Sequence, residues 1–191
     1  MGIRLRAGIA AIPGSYHAGV TVAASAVGGN SGCRWPAYAF LVISFRAARQ
    51  AEAETLRKIA AAAYQQYVPR IGRAPAPMTA DYGAAVRCGQ AWVAVEDGEV
   101  AGFVILVAEP GYLLLENVAV LPAAQGRGIG ARLLAFSEEH ARSLCLHEIR
   151  LYTNEMMTEN LTYYPRRGYT ETHRMQQDGF QRVFFRKRPD A

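Results

Sequence analysis

The sequence predicts an α/β (α+β) fold, a mixed and mostly antiparallel sheet of about six or seven strands flanked by about four helices. Three observations carry that expectation. Two Asp-Gly pairs, Asp97-Gly98 and Asp178-Gly179, each join β-prone runs and mark tight hairpins, because such turns need positive φ. Apolar residues recur every three or four positions from Gln50 to Val68 and again from about Arg127, which marks helices burying one face. The two periods alternate along the chain without internal repeat, so the helices are expected to cover a sheet.

Phe40-Leu41-Val42-Ile43-Ser44-Phe45-Arg46 is the first β-prone run. Leu56, Ile59, Ala60, Ala63, Tyr64 and Tyr67 then line one face of a helix over Gln50–Val68, expected to stop at Pro69. The stretch from Pro69 to Pro77 holds three prolines and two arginines and reads as irregular, with a short helix following over about Thr79–Cys88. Ala91–Val95, Val100–Val107 and Tyr112–Val120, turned at Asp97-Gly98 and Pro110-Gly111, make a three-strand antiparallel meander that Leu121-Pro122 closes. A second long helix starts near Arg127 and sets Ile129, Leu133, Phe136, His140 and Leu144 on one face. Glu148–Tyr152 reads as a strand and Glu155–Tyr164 as a short helix ended by Pro165. Gly168–Arg174 and Phe180–Lys187 form the last hairpin.

At 191 residues the chain suits one domain with a sizeable core, assigned to residues 39–191. Residues 1–38, rich in Gly, Ala and Ser, read as a poorly ordered N-terminal extension. Arg4, Arg6 and Ala24-Ser25-Ala26 have the flavour of a secretory leader, but Pro13, Gly14, Ser15 and His17 interrupt its apolar centre. No apolar run reaches the roughly 18 residues of a membrane span, so no membrane association is expected. Cys33, Cys88 and Cys145 are too scattered for a disulfide framework or zinc site, and His17, His140, His147 and His173 lack ligand spacing. No metal and a reduced, cytoplasmic setting are expected. The net charge of +5 is mild, and no clustered basic stripe points to nucleic acid. Arg182, Arg186, Lys187 and Arg188 read as a solvated edge. His140 reads as a helix-surface residue and Cys145 as a small buried hydrophobe.

The segment that carries chemistry is Gln125-Gly126-Arg127-Gly128-Ile129-Gly130, a glycine-dense turn opening a helix. Such a turn presents unpaired N–H groups and the positive end of the helix dipole, and glycines let the backbone approach a phosphate. Arg127 adds a charge at the same place. A phosphate-binding Walker loop fails, because Gly130-Ala131-Arg132 replaces its Gly-Lys-Ser/Thr ending. A dinucleotide fingerprint also fails, although Glu148 lies at a suitable distance for its acid. Here the glycines run G-x-G-x-G, and Leu121 to Gln125 separate them from a strand that belongs to a meander.

The same six residues match the Gln/Arg-x-x-Gly-x-Gly/Ala signature of the GNAT superfamily of N-acetyltransferases. Val118-Ala119-Val120-Leu121-Pro122 resembles that family's fourth strand and its Val-x-Pro exit, and the run from Glu159 through Asn160, Tyr164 and Gly168 to Tyr169 resembles its Asn-helix-Tyr element. The three matches stand in order, and the resemblance spans residues from about 41 to 188.

The resemblance implies acetyl-CoA as acyl donor, with its pyrophosphate on Gln125, Gly126, Arg127, Gly128, Ile129 and Gly130. Val118, Ala119 and Val120 would hold the pantetheine arm by main-chain bonds, joined by Asn160. An acceptor amine with a pKa near 10.4 sits about 3 units above neutrality, a cost of roughly 4 kcal/mol that a base helps to meet. Glu116 is the candidate, beside the expected fourth strand. A backbone N–H near Val118 would stabilise the oxyanion, and such donors are worth roughly 3–4 kcal/mol. Tyr164 is the expected general acid. Pro165, where relatives carry a charged helical residue, makes Tyr163 a possible stand-in. Strand alternation sets Glu116, Val118 and Val120 on one face and Asn117 and Ala119 on the other, without saying which meets the substrate. The acceptor is expected to be a small-molecule amine, with Arg70 or Arg73 either binding its carboxylate or simply solvated. Acetylation of a protein or aminoacyl-tRNA amine, and a non-catalytic acyl-CoA-binding regulatory module, are the alternatives. A homodimer is compatible with the resemblance.

Overall fold

The computed structural model describes residues 43–189. The extension assigned to residues 1–38 and the start of the Phe40–Arg46 run lie outside the described residues. Seven strands, β1 (Ile43–Ala47), β2 (Ala91–Glu96), β3 (Glu99–Glu109), β4 (Tyr112–Val120), β5 (Ile149–Asn154), β6 (Thr170–Gln177) and β7 (Phe180–Lys187), form one sheet in the order β1-β2-β3-β4-β5-β7-β6. Every neighbouring pair is antiparallel except β4 with β5. Both Asp-Gly turns behave as read, with φ of 50° and 85° at Asp97 and Gly98 and of 54° and 75° at Asp178 and Gly179.

The helices are α1 (Ala53–Tyr64), α2 (Val68–Ile71), α3 (Tyr82–Arg87), α4 (Ile129–Ser143) and α5 (Thr158–Tyr163). One core layer packs Leu56, Ile59, Ala60 and Ala63 of α1 and Tyr82 of α3 against Val93, Phe103 and Ile105. The opposite layer packs Ile129, Leu133, Leu134 and Phe136 of α4 against Val104, Leu113, Leu115, Ile149 and Phe185. Each face of the sheet is thus covered by a helix whose apolar stripe was legible as a period of three and four.

Four local expectations are corrected. The helical path does not end at Pro69: it restarts there as the single turn α2, where Pro69 occupies the first turn and gives up no needed N–H. Gly72, at φ 79°, ends it. Cys145 is exposed, not buried, because it takes the left-handed position (φ 56°) just past α4. His140 is half-buried against Trp92, with ring centroids 4.9 Å apart, and that burial lowers its pKa. Arg182, read as part of a solvated edge, is only 7% exposed.

Gly102 fixes how closely β3 approaches β4. A Cβ there would sit 2.8 Å from the Ala119 carbonyl oxygen and 3.3 Å from Val120 Cα, both main-chain atoms that cannot swing aside. Gly102→Ala is expected to lower stability by about 1–3 kcal/mol, the usual cost of overpacking, read as a lower urea midpoint with an unchanged slope.

Candidate active site

The site is built where two strands separate. β4 and β5 pair only from Leu113 to Leu115 against Ile149 to Leu151. Beyond that point β5 follows β7 while β4 stays with β3. A cleft of about 430 Å³ lies at the opening, lined by Val118–Val120 and the glycine turn, with Asn160, Tyr163 and Tyr164 also on its wall.

A bulge sits at the separation. Ile105 pairs with Asn117 and Leu106 with Leu115, so Glu116 is an extra residue on β4 without a partner on β3. The insertion reverses the alternation: Leu113 and Leu115 point into the α4 layer, and so do Val118 and Val120, while Ala119 points into the α1 layer. Simple alternation therefore holds on each side of Glu116 but not across it. In an antiparallel pair the N–H and C=O of one residue point the same way. The carbonyls of Val118 and Val120 accept from Tyr64 Oη (3.1 Å) and Gln125 Nε2 (3.1 Å), away from β3. Their N–H groups share that free edge.

Gly126 (φ 78°) and Gly128 (φ 80°) take left-handed conformations, and a Cβ on either would meet nothing within 4 Å. Gly128 is the N-cap of the 15-residue α4 and offers no side chain, so the helix opens with uncapped N–H groups facing the cleft. Arg127 also pairs with the buried Glu96 at 2.9 Å, which ties the turn to the end of β2.

Pro165 does not displace Tyr164. It opens a short 3-10 turn while Tyr164 keeps helical dihedrals, packed among Tyr163, Tyr169 and Phe185. Burial pushes the Tyr164 hydroxyl well above the usual tyrosine pKa, so it stays protonated. The Tyr163 hydroxyl lies 2.9 Å from where a Cβ on Gly130 would stand, and the Arg167 guanidinium stacks on its ring at 3.5 Å. The two tyrosines thus divide the cleft, with Tyr163 beside the helix N-terminus and Tyr164 beside the sheet. Asn160 donates to Thr153 Oγ1 at 2.9 Å, which docks α5 on β5.

A second, smaller cavity of about 60 Å³ holds Glu116, Tyr152, Asn154 and Arg182, and is roofed by Pro75–Pro77. Tyr64 lines both cavities. The Arg182 guanidinium donates to Asp178 Oδ2 (3.0 Å) and stacks on Tyr152 at 4.3 Å. Arg70 and Arg73 line neither cavity. Arg70 pairs with Glu159 at 2.7 Å, and Arg73 donates to the Asp178 carbonyl (2.6 Å) while stacking on Phe180 at 3.5 Å. Both fasten the proline-rich connection to distant elements. Sequence reasoning missed Tyr64, Asn117, Tyr82 and Arg182. Tyr64 carried the available signal, a hydroxyl on a helix stripe that is apolar but for it and Tyr67.

A model of the acetyltransferase (GNAT) domain matches residues 87–171, the segment that holds β4, the glycine turn and α5. That central segment is similar to GNAT acetyltransferases. The chain is also similar to aminoalkylphosphonate N-acetyltransferase of Salmonella typhimurium, 31% identical over 87 residues. That stretch spans 42% of this chain and 56% of the relative's own length. The GNAT fold is shared with PaiA N-acetyltransferase from Thermoplasma acidophilum, solved in complex with coenzyme A (TM-score 0.65, 18% identity, 78% of this chain and 99% of that one). It is shared also with the ribosomal-protein-S18-alanine N-acetyltransferase from Escherichia coli (TM-score 0.63, 15% identity, 78% and 96%). Among the described residues no group of three His, Cys, Asp or Glu is arranged to hold a metal, and no helix is long and apolar enough to cross a membrane.

Behind the bulge, Asn117 and Tyr82 are 6% and 3% exposed, and the Asn117 amide joins Tyr64 Oη (2.7 Å) to Tyr82 Oη (2.8 Å). Asn117→Ala removes one hydrogen-bond partner from each tyrosine and leaves a small void. We expect a loss of about 2–3 kcal/mol in denaturant unfolding, more than most polar-to-alanine changes cause.

Proposed function

We propose that the chain is an acyl-CoA-dependent N-acetyltransferase, moving an acetyl group from acetyl-CoA to a primary amine of a small molecule by direct attack in a ternary complex. One observation carries the reading: the cleft has an unpaired strand edge along one wall, an uncapped helix N-terminus at one end, and a polar cavity reached past Tyr64. The glycine turn suits a pyrophosphate, since open space stands where Cβ atoms would otherwise block close approach. A structural neighbour solved with coenzyme A supports the same donor. Acetyl-CoA, when bound, supplies an activated thioester carbonyl.

The chain's own groups then divide the work. Gly126, Gly128, Ile129 and Gly130 hold the pyrophosphate through main-chain N–H groups, with Gln125 and Arg127 shaping the turn. Val118, Ala119 and Val120, with Asn160, hold the pantetheine arm, and the edge-facing Val118 N–H serves the carbonyl oxygen where charge develops. Glu116, set into the small cavity by the bulge, takes a proton from the acceptor ammonium, directly or through water. Tyr164, kept protonated by burial, serves the departing sulfur, while Tyr163 takes part in holding the donor beside the turn.

The size of the second cavity favours a small acceptor over a folded protein or a charged tRNA. A carboxylate and a guanidinium in one cavity suit a molecule that carries both an ammonium and an anionic group. Similarity to an enzyme named for aminoalkylphosphonates points the same way. In this reading Arg182, rather than Arg70 or Arg73, meets the anionic end. The reading includes a cytoplasmic location and no metal.

Calorimetric titration with CoA tests the donor site. The parent chain is expected to bind, and Gly128→Asp, which adds a Cβ and a negative charge at φ 80°, is expected to abolish binding. Glu116→Gln should keep CoA binding and lose roughly 10²-fold or more in kcat for amine acetylation. No CoA binding by folded parent protein refutes the proposal.

The tyrosines are separable by kinetics. Tyr164→Phe should lower kcat by about 10–10²-fold at unchanged KM for acetyl-CoA, whereas Tyr163→Phe should raise that KM and spare kcat.

A further inference from the structure

We infer that the Tyr64 hydroxyl is the acceptor-amine receptor: its oxygen presents only lone pairs at the junction of the two cavities and takes an N–H of the incoming amine. The inference rests on the N-acetyltransferase reading and adds to it a residue that orients the nucleophile.

A chain of fixed hydrogen bonds leads to this conclusion. The Pro77 carbonyl can only accept, so the Tyr82 hydroxyl 2.7 Å away must donate to it. Tyr82 Oη, its proton spent, must accept from the Asn117 group 2.8 Å distant, which fixes the amide with Nδ2 toward Tyr82. Asn117 Oδ1 then faces Tyr64 Oη at 2.7 Å and can only accept. The other neighbour of Tyr64 Oη, the Val118 carbonyl at 3.1 Å, is also an acceptor. Tyr64 therefore commits its one proton to Asn117 Oδ1 or to the Val118 carbonyl. Anything that meets its oxygen from the cavities must bring a hydrogen.

The location makes this direction matter. Tyr64 ends α1, and its side chain lines the cleft assigned to the acyl donor as well as the cavity that holds Glu116. A primary amine released from its ammonium has two N–H groups and one lone pair. An N–H held by Tyr64 Oη fixes the nitrogen at the junction and leaves the lone pair for attack. An oxygen that donated outward would instead occupy that lone pair and block the nucleophile. Burial raises the Tyr64 pKa well above its ordinary value, so the hydroxyl keeps its proton and this polarity at all ordinary pH. No proton is transferred through it, and Glu116 remains the base.

The test compares binding of 2-aminoethylphosphonate with that of propylphosphonate, an isostere in which CH3 replaces the ammonium, by calorimetry on the CoA-loaded chain and on Tyr64→Phe. The parent chain is expected to prefer the amine by about 10-fold or more, and Tyr64→Phe to lose about 10-fold of that preference. A merely structural role would weaken amine and isostere alike and leave their ratio unchanged. Thermal unfolding confirms that the isosteric variant is folded. The parent measurement stands by itself if it is not: equal binding of amine and isostere by the parent overturns the inference. An unchanged preference in folded Tyr64→Phe overturns it too, and leaves the N-acetyltransferase reading intact. Parent protein that binds CoA but neither phosphonate, and acetylates no amine, brings down the reading and the inference together.

Discussion

β4 and β5 run side by side for three residue pairs and then separate, and the chemistry of the molecule depends on that separation. A strand edge inside a sheet normally has no free groups, because each N–H and C=O is consumed by a neighbour. Here the last residues of β4 keep a partner on one side only, so main-chain donors line a cleft without any loop having to be buried. Gln125 and Tyr64 satisfy two of the edge carbonyls from the side, which holds the opening apart at low cost. The parting is sustained from both directions. β7 pairs with β5 along all six of its residues, and Gly102 draws β3 close against β4.

The bulge at Glu116 adds a second constraint. One extra residue rotates the remainder of β4 by half a period, and this moves an amide to a face that regular alternation would deny it. Glu116 enters the small cavity, while Asn117 turns inward beneath α1 and α3, where an amide is tolerated only because both ends are bonded. The buried polar chain from Tyr64 to Pro77 thus joins helix, strand and proline-rich connection. Its direction is set by the one member with no proton to give.

Much of this was legible in the chain. Period and turn chemistry gave seven strands and the long helices, because the residues that face the core repeat at the spacing of the element they belong to. The glycine turn was legible for a similar local reason: positive φ at Gly126 and Gly128 and a bare N-cap are properties of a few consecutive residues. Pro69 misled where it looked like a terminator, since a proline also fits the first turn of a new helical segment. Cys145 misled because apolar character says nothing about a left-handed position past a helix end.

What the sequence determined by itself, then, was the set of elements, the glycine turn and the resemblance of the central segment, all encoded by neighbours along the chain. Tertiary structure alone decided which polar groups meet. Tyr64 reaches Asn117 across 53 positions, Arg70 is spent on Glu159 across 89, and Arg73 on Asp178 across 105. Arg182 lies deep among Tyr152 and Asp178 because β7 crosses beside β5. No local pattern predicts such pairings, because a side chain's charge and hydrogen-bonding capacity are properties of the residue, whereas its partners are fixed by register, strand order and a single bulged position.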